Sequence, residues 1–169
     1  ETIKELFTDT NQSANMFGIV SGARLRPEIE FWSSPSSTKE VQIDRVTDAL
    51  RHVPRPAILY TSTVPDAHEW FDRAKVMGFQ RIAIMTSKTS NAERDRIVRG
   101  WREGTIDLVI GTSAFGLGVD NPHVRSVIHA CVPESLDRFY QEVGRGGRDG
   151  RSSLSLIIPA ERDQRIAEN

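Results

Sequence analysis

The 169 residues include one cysteine, Cys131, so no disulfide can close within the chain and no cysteine-rich zinc site can be built. A lone cysteine agrees with a reducing cytoplasm, the compartment expected here. Beside an apolar strand it reads as a small buried residue. His52, His68, His123 and His129 show no metal-ligand spacing and read as ordinary surface or core side chains, so no metal site is expected. Long hydrophobic runs are missing as well. Leu108-Val109-Ile110 and Leu156-Ile157-Ile158 fall far short of a bilayer span, and no segment resembles a signal peptide, so no membrane partner is expected. Two further absences bear on chemistry. No Gly-x-x-x-x-Gly-Lys-Ser/Thr occurs, and no lysine follows a glycine anywhere. The chain therefore lacks the clustered N–H groups and the lysine that hold β- and γ-phosphates. No Asp-Glu pair closes a strand to hold Mg²⁺ and position water. A self-sufficient P-loop ATPase is excluded. Gly116-Leu117-Gly118 fails as a dinucleotide fingerprint because Asn121 occupies the third glycine position. Neither a Gly-x-Ser-x-Gly elbow nor a His-Glu-x-x-His helix is present.

What is there is the composition of one soluble globular domain: 38% hydrophobic and 27% charged residues, enough to bury a core. The first residue is Glu1 rather than methionine, as expected of a segment excised from a longer protein. The net charge of −1 speaks against a dedicated nucleic-acid binder. It leaves room for a domain that forms one lip of a groove and concentrates its charge locally.

Short β-rich apolar runs alternate with amphipathic segments, which predicts an α/β domain whose mostly parallel sheet is covered by helices. Strands are expected at 57–60, 81–85, 108–110, 124–129 and 153–158, and helices at 38–52, 64–77, 92–101 and 134–143. Pro54 and Pro56 break the chain before the first of these strands, Gly78 ends the second helix, and Asn91 is the expected N-cap of the third. Residues 1–22 read as the tail of a preceding domain or a linker, and 23–169 as the domain proper. Its opening, residues 24–32, reads as an entering strand followed by a Ser/Pro-rich loop at 33–37. Trp32, Trp70 and Trp101 are expected in core or half-buried positions.

Two segments carry the chemistry. Gly111-Thr112-Ser113-Ala114-Phe115-Gly116-Leu117-Gly118-Val119-Asp120 follows an apolar strand directly. Small hydroxyl residues and glycines at a strand's carboxyl end let backbone approach a phosphate or sugar closely, and Asp120 can accept from a ribose hydroxyl. A plain strand-to-turn connection is the alternative for such a loop. The second segment, Gln141-Glu142-Val143-Gly144-Arg145-Gly146-Gly147-Arg148-Asp149-Gly150, sets two arginines three apart, on one side of a helical turn. Gly144, Gly146 and Gly147 remove neighbouring side chains and let the backbone pack against another surface. Two exposed guanidinium groups suit a triphosphate, whose developing charge they stabilise. A solvated turn, with Glu142 and Asp149 pairing the arginines, is the alternative.

In this order and spacing the two segments resemble motifs V and VI of superfamily 2 helicases, and within them the C-terminal RecA-like domain of RecQ-like DNA helicases. Motif V is matched at Thr112, Ala114, Phe115, Gly116, Gly118 and Asp120. Motif VI is matched at Gln141, Glu142, Gly144, Arg145, Gly147, Arg148, Asp149 and Gly150. The resemblance implies a three-layer RecA-like domain with helices on both sheet faces. It makes Arg148 the arginine finger for ATP held by an absent first RecA-like domain, with Arg145 its partner and Gln141 coupling nucleotide state to the cleft. Gly118 and Asp120 would line the cleft near the nucleotide sugar. Thr112 and Ser113 would touch the backbone of single-stranded or partly duplex DNA. Thr61 and Ser62, in motif IV, would add strand-end phosphate contacts. Mg²⁺ would be held mainly by the first motor domain. The chain departs from the family where His-x-Gly-Leu is usual and Thr86-Ser87-Lys88-Thr89 stands, a run in which Thr86 and Ser87 can still meet a phosphate. Two rival readings share the fold: an RNA helicase, whose relatives usually carry His-Arg where Gln141-Glu142 stands, and a non-catalytic binding module.

Overall fold

The computed structural model describes residues 26–112 and 121–163. The expectations for residues 1–22, for the start of the entering strand and for most of motif V lie outside them. The described strands are β1 (Ile29–Ser33), β2 (Ala57–Thr61), β3 (Ile82–Met85), β4 (Leu108–Thr112), β5 (Ser126–His129) and β6 (Ser153–Ile157). The helices are α1 (Lys39–His52), α2 (Val64–Val76), α3 (Asn91–Glu103) and α4 (Leu136–Val143). All strand pairs are parallel, in the order β1-β6-β5-β2-β4-β3.

A parallel sheet is covered on both faces, so its central strands read as continuous apolar runs. Every residue of β2 and β4 is buried. The pleat sorts them: Ala57 and Leu59 pack with Val46 and Leu50 of α1 and with Ala67, Trp70 and Ala74 of α2. Ile58 and Tyr60 face the other way, toward Ile97 and Trp101 of α3 and Val143 of α4. Helices whose crossovers move toward β3 thus lie on one face, and those that return lie on the other, as a single crossover hand requires.

Each helix starts at a hydroxyl cap. Thr38, Thr63, Ser90 and Ser135 accept from the backbone N–H groups of Val41, Asp66, Glu93 and Arg138. The cap of α3 is therefore Ser90, not Asn91, which becomes the first helical residue. Ser90 with Glu93 has the S-x-x-E spacing of a capping box, which decides between two adjacent cap-forming residues. Gly78, with φ of 91°, follows α2, and Gly104, with φ of 73°, closes α3. β5 begins two residues later than expected because the Val124 carbonyl accepts from Gly147 N–H instead of pairing in the sheet.

Trp70 and Trp101 are core residues, each 1% exposed. Trp32 is not: it is 63% exposed, because β1 is an edge strand in which only Ile29 is buried. Trp70→Ala should lower unfolding free energy by about 3–5 kcal/mol. Val76→Ser, at a 90% exposed position, should stay within about 0.5 kcal/mol of the parent. Urea unfolding of the two variants beside the parent measures both.

Candidate nucleotide and nucleic-acid site

Parallel strands bring their carboxyl ends to one edge of the sheet, the usual place for ligands in such folds. Thr61 ends β2, Thr112 ends β4 as its register partner, and Thr86 follows β3. These three expected contact residues are therefore gathered, but their side chains are buried, at 3%, 7% and 3% exposure respectively. The Thr61 hydroxyl donates to the Thr63 carbonyl at 3.2 Å, and the Thr86 hydroxyl accepts from Lys88 N–H at 3.2 Å. They shape the loops, while Ser62, Ser87 and Lys88 are exposed along the same edge. Cys131 lies close by, and burial pushes its thiol up to about 12, which leaves it inert. Ser113, Gly118 and Asp120 lie outside the described residues.

The arginine-bearing turn sits at the opposite edge. Helix α4 runs back from the carboxyl end of β5 and ends at Val143. Gly147 N–H then donates to the Val124 carbonyl at 3.0 Å and Asp149 N–H to that of Pro122 at 3.2 Å, both just ahead of β5. The expected helical side shared by Arg145 and Arg148 is not formed, because the helix has ended and Gly147 adopts φ of 60°. Arg145 is half-buried, and its charge draws partly back the Tyr60 pKa that burial raises. Arg148 is exposed, with its Nε donating to the Gly144 carbonyl at 3.1 Å. Gln141 is exposed on the last turn of α4.

The surface against which the glycines pack is the chain's own. A Cβ on Gly146 would stand 2.7 Å from the Ser153 hydroxyl, and one on Gly147 2.6 Å from the Arg151 carbonyl. Arg26 lies beneath the turn: its Nη1 donates to the carbonyls of Gly144 and Gly146, each at 3.1 Å, and its Nη2 to that of Gly147 at 2.6 Å. Asp149 accepts from Arg125 Nη2 and from His123 Nδ1, the latter at 3.0 Å. Arg125 first, then His123, holds the Asp149 carboxyl well below the usual carboxylate range. Glu142 is buried and meets His129 Nε2 at 2.8 Å and Arg138 Nε at 3.7 Å. His129 is itself stacked on Tyr60, with ring centroids 5.2 Å apart, so it is a structural partner of motif VI rather than an incidental histidine. Arg26 was not singled out from the sequence, and Arg125 and His129 were given no role there, because each meets motif VI only across the fold. Among the described residues no group of three or more His, Cys, Asp or Glu is placed to hold a metal ion. No helix there is long and apolar enough to cross a membrane.

A six-stranded parallel sheet with an arginine-rich turn between α4 and β6 is the layout of a helicase motor domain. The chain belongs to the helicase conserved C-terminal domain family, whose profile matches residues 41–150. Among curated proteins it is 32% identical over 143 residues to the probable ATP-dependent DNA helicase RecS of Bacillus subtilis, covering 85% of this chain and 29% of that protein. It is 31% identical over 140 residues to the RecQ-like DNA helicase BLM of Xenopus laevis, covering 82% and 10%. These relatives place the domain on the RecQ-like side of superfamily 2. The chain spans less than a third of either relative. In structure it resembles the C-terminal domain of the DEAD-box protein Dbp5, with a TM-score of 0.70 at 21% identity over 82% of this chain and 81% of that one, which establishes the RecA-like fold.

The Asp149 brace makes a testable statement about pH. Its carboxyl titrates lower in the folded chain than in the unfolded one, so the stability it contributes is present above the unfolded value, about 4, and is lost as pH falls through the folded value. Asp149→Asn should lower the thermal midpoint at neutral pH. The gap from the parent should shrink as pH falls below about 4, and melting curves at stepped pH follow it.

Proposed function

We propose that the chain is the second motor domain of an ATP-dependent DNA helicase or translocase, with residues 23–169 as its RecA-like unit. Arg148 acts as the arginine finger on ATP that a first RecA-like domain presents, and Arg145 stands behind it. Gln141 couples nucleotide state to the cleft, while Gly118 and Asp120 lie toward the nucleotide sugar. Mg²⁺ belongs mainly to the first domain, since this chain offers no strand-end carboxylate pair for it. Bound ATP supplies the γ-phosphoryl group whose charge the arginines offset. DNA lies along the carboxyl edge of the sheet, where exposed Ser62 and Ser87 present hydroxyls to its phosphates. Thr61, Thr86 and Thr112 shape the strand ends beside them, and Ser113 touches the DNA backbone. Contacts of this kind hold a strand without reading its sequence.

The observation that carries this reading is an exposed Arg148 on a braced turn, in a chain without a phosphate loop of its own. A finger without a phosphate cradle has chemical use only across an interface, so the isolated domain hydrolyses no ATP. In the helicase that contains it, Arg148→Ala should cut DNA-stimulated turnover by about 10³-fold or more, with ATP still bound. Normal turnover in that variant sinks the finger assignment. Stimulation by RNA instead of DNA, in the same assay on the parent protein, would move the proposal to the RNA branch.

A further inference from the structure

We propose that Arg26 is a positioning residue for ATP hydrolysis: it holds the backbone of the arginine turn so that Arg148 is presented in one place. The inference rests on the finger reading above and goes beyond it, because Arg26 lies outside both motifs, 118 to 121 residues from the carbonyls it binds.

Three carbonyl oxygens point at one guanidinium. Those of Gly144 and Gly146 flank Arg145, and that of Gly147 immediately precedes Arg148. Glycine backbone is the least restrained of any residue, so a turn with three of them needs an external hold to keep a single conformation. Arg26 provides it from both terminal nitrogens, a spread that the planar fork of a guanidinium matches and the single nitrogen of a lysine does not. The Gly144 oxygen is shared: it accepts from Arg26 Nη1 at 3.1 Å and from Arg148 Nε at 3.1 Å. The atom on which the finger rests is thus an atom that Arg26 fixes. Arg26 is itself oriented by Glu28, whose carboxylate lies 3.4 Å from its Nε. The Glu28 carbonyl accepts from Ser153 N–H at 2.7 Å, and the Ser153 side chain fills the space beside Gly146. Strand β1, its partner β6 and the turn are thereby locked together at one corner. Charge-assisted bonds to backbone carbonyls are among the stronger ones available in a half-buried place.

The test is steady-state ATP hydrolysis, with saturating DNA, by the helicase that carries this domain. Four variants are compared with the parent: Arg26→Ala, Arg26→Lys, Arg148→Ala and the double variant Arg26→Ala/Arg148→Ala. A displacement near 1 Å costs about 10²-fold in rate, so Arg26→Ala should lower kcat by about that factor while KM for ATP changes less than about threefold. Arg26→Lys keeps the charge and the Glu28 pair but not the three-carbonyl grip, and should recover only part of the loss. The decisive readout is non-additivity. If Arg26 acts through Arg148, removing it from the Arg148→Ala background should cost less than about twofold more. Losses that multiply, or a kcat for Arg26→Ala within about threefold of the parent beside a slow Arg148→Ala, overturn the assignment. Full activity of Arg148→Ala overturns the finger reading instead. Should Arg26→Ala melt below the assay temperature, Arg26→Lys carries the same comparison, alone and on the Arg148→Ala background.

Discussion

Parallel pairing of β2 with β4 on one side and β5 on the other is the constraint from which the layout follows. A parallel pair cannot be closed by a tight turn, so each return needs a crossover, and each crossover covers a face. With β2 and β4 buried along their whole length, polar chemistry is pushed to the two edges of the sheet. One edge collects the strand ends at Thr61, Thr86 and Thr112, and the other collects the turn that follows α4. The hydroxyl residues and the arginines are therefore parts of one rigid domain without being neighbours. That suits the proposed role, in which the domain meets nucleic acid and a nucleotide-bearing partner at once.

Rigidity at the arginine turn comes from outside it. Gly146 and Gly147 let the backbone lie within contact distance of Ser153 and Arg151, and they contribute no side chains to hold it. Arg26 supplies that hold from the β1 side. Asp149, with Arg125 and His123, supplies it from the segment before β5. The two side chains of the Arg125 bridge are each 16% exposed, so solvent and salt screen it less than an open surface pair. Conformational freedom and external bracing are two halves of one arrangement, since close approach requires glycine and glycine requires a brace.

The strands were legible because both-sided burial writes itself as a local run, as at Leu108-Val109-Ile110. Helix starts were legible to within two residues, and the Asn91 error arose where two cap-forming residues stand side by side. Trp32 was misread for a different reason. Whether a strand is central or at an edge depends on pairing order, which no local window contains. The arginines were recognised from their motif, but their shared helical side was inferred from a spacing that holds only inside a helix, and α4 stops at Val143. Arg26 left no local signal. Its meaning is entirely in a contact across 118 residues or more, and only a sheet that sets β1 beside β6 creates it.

The same logic accounts for the helix that leads into the turn. Successive residues on a helix are about 100° apart, so fixing the direction of one fixes its neighbours. Glu142 is drawn inward to His129 at 2.8 Å, and Phe139 packs against the same imidazole with centroids 5.4 Å apart. With those two directed at β5, Gln141 and Tyr140 are left facing outward. A buried ionisable pair gains little net stability over an apolar one of similar volume. Its consequence here is geometric: it sets the rotation of α4 and so the direction in which Gln141 is offered. Glu142 orients the helix and Arg26 orients the turn after it. In this reading the motif's exposed residues are aimed by the partners of Glu142 and by Arg26.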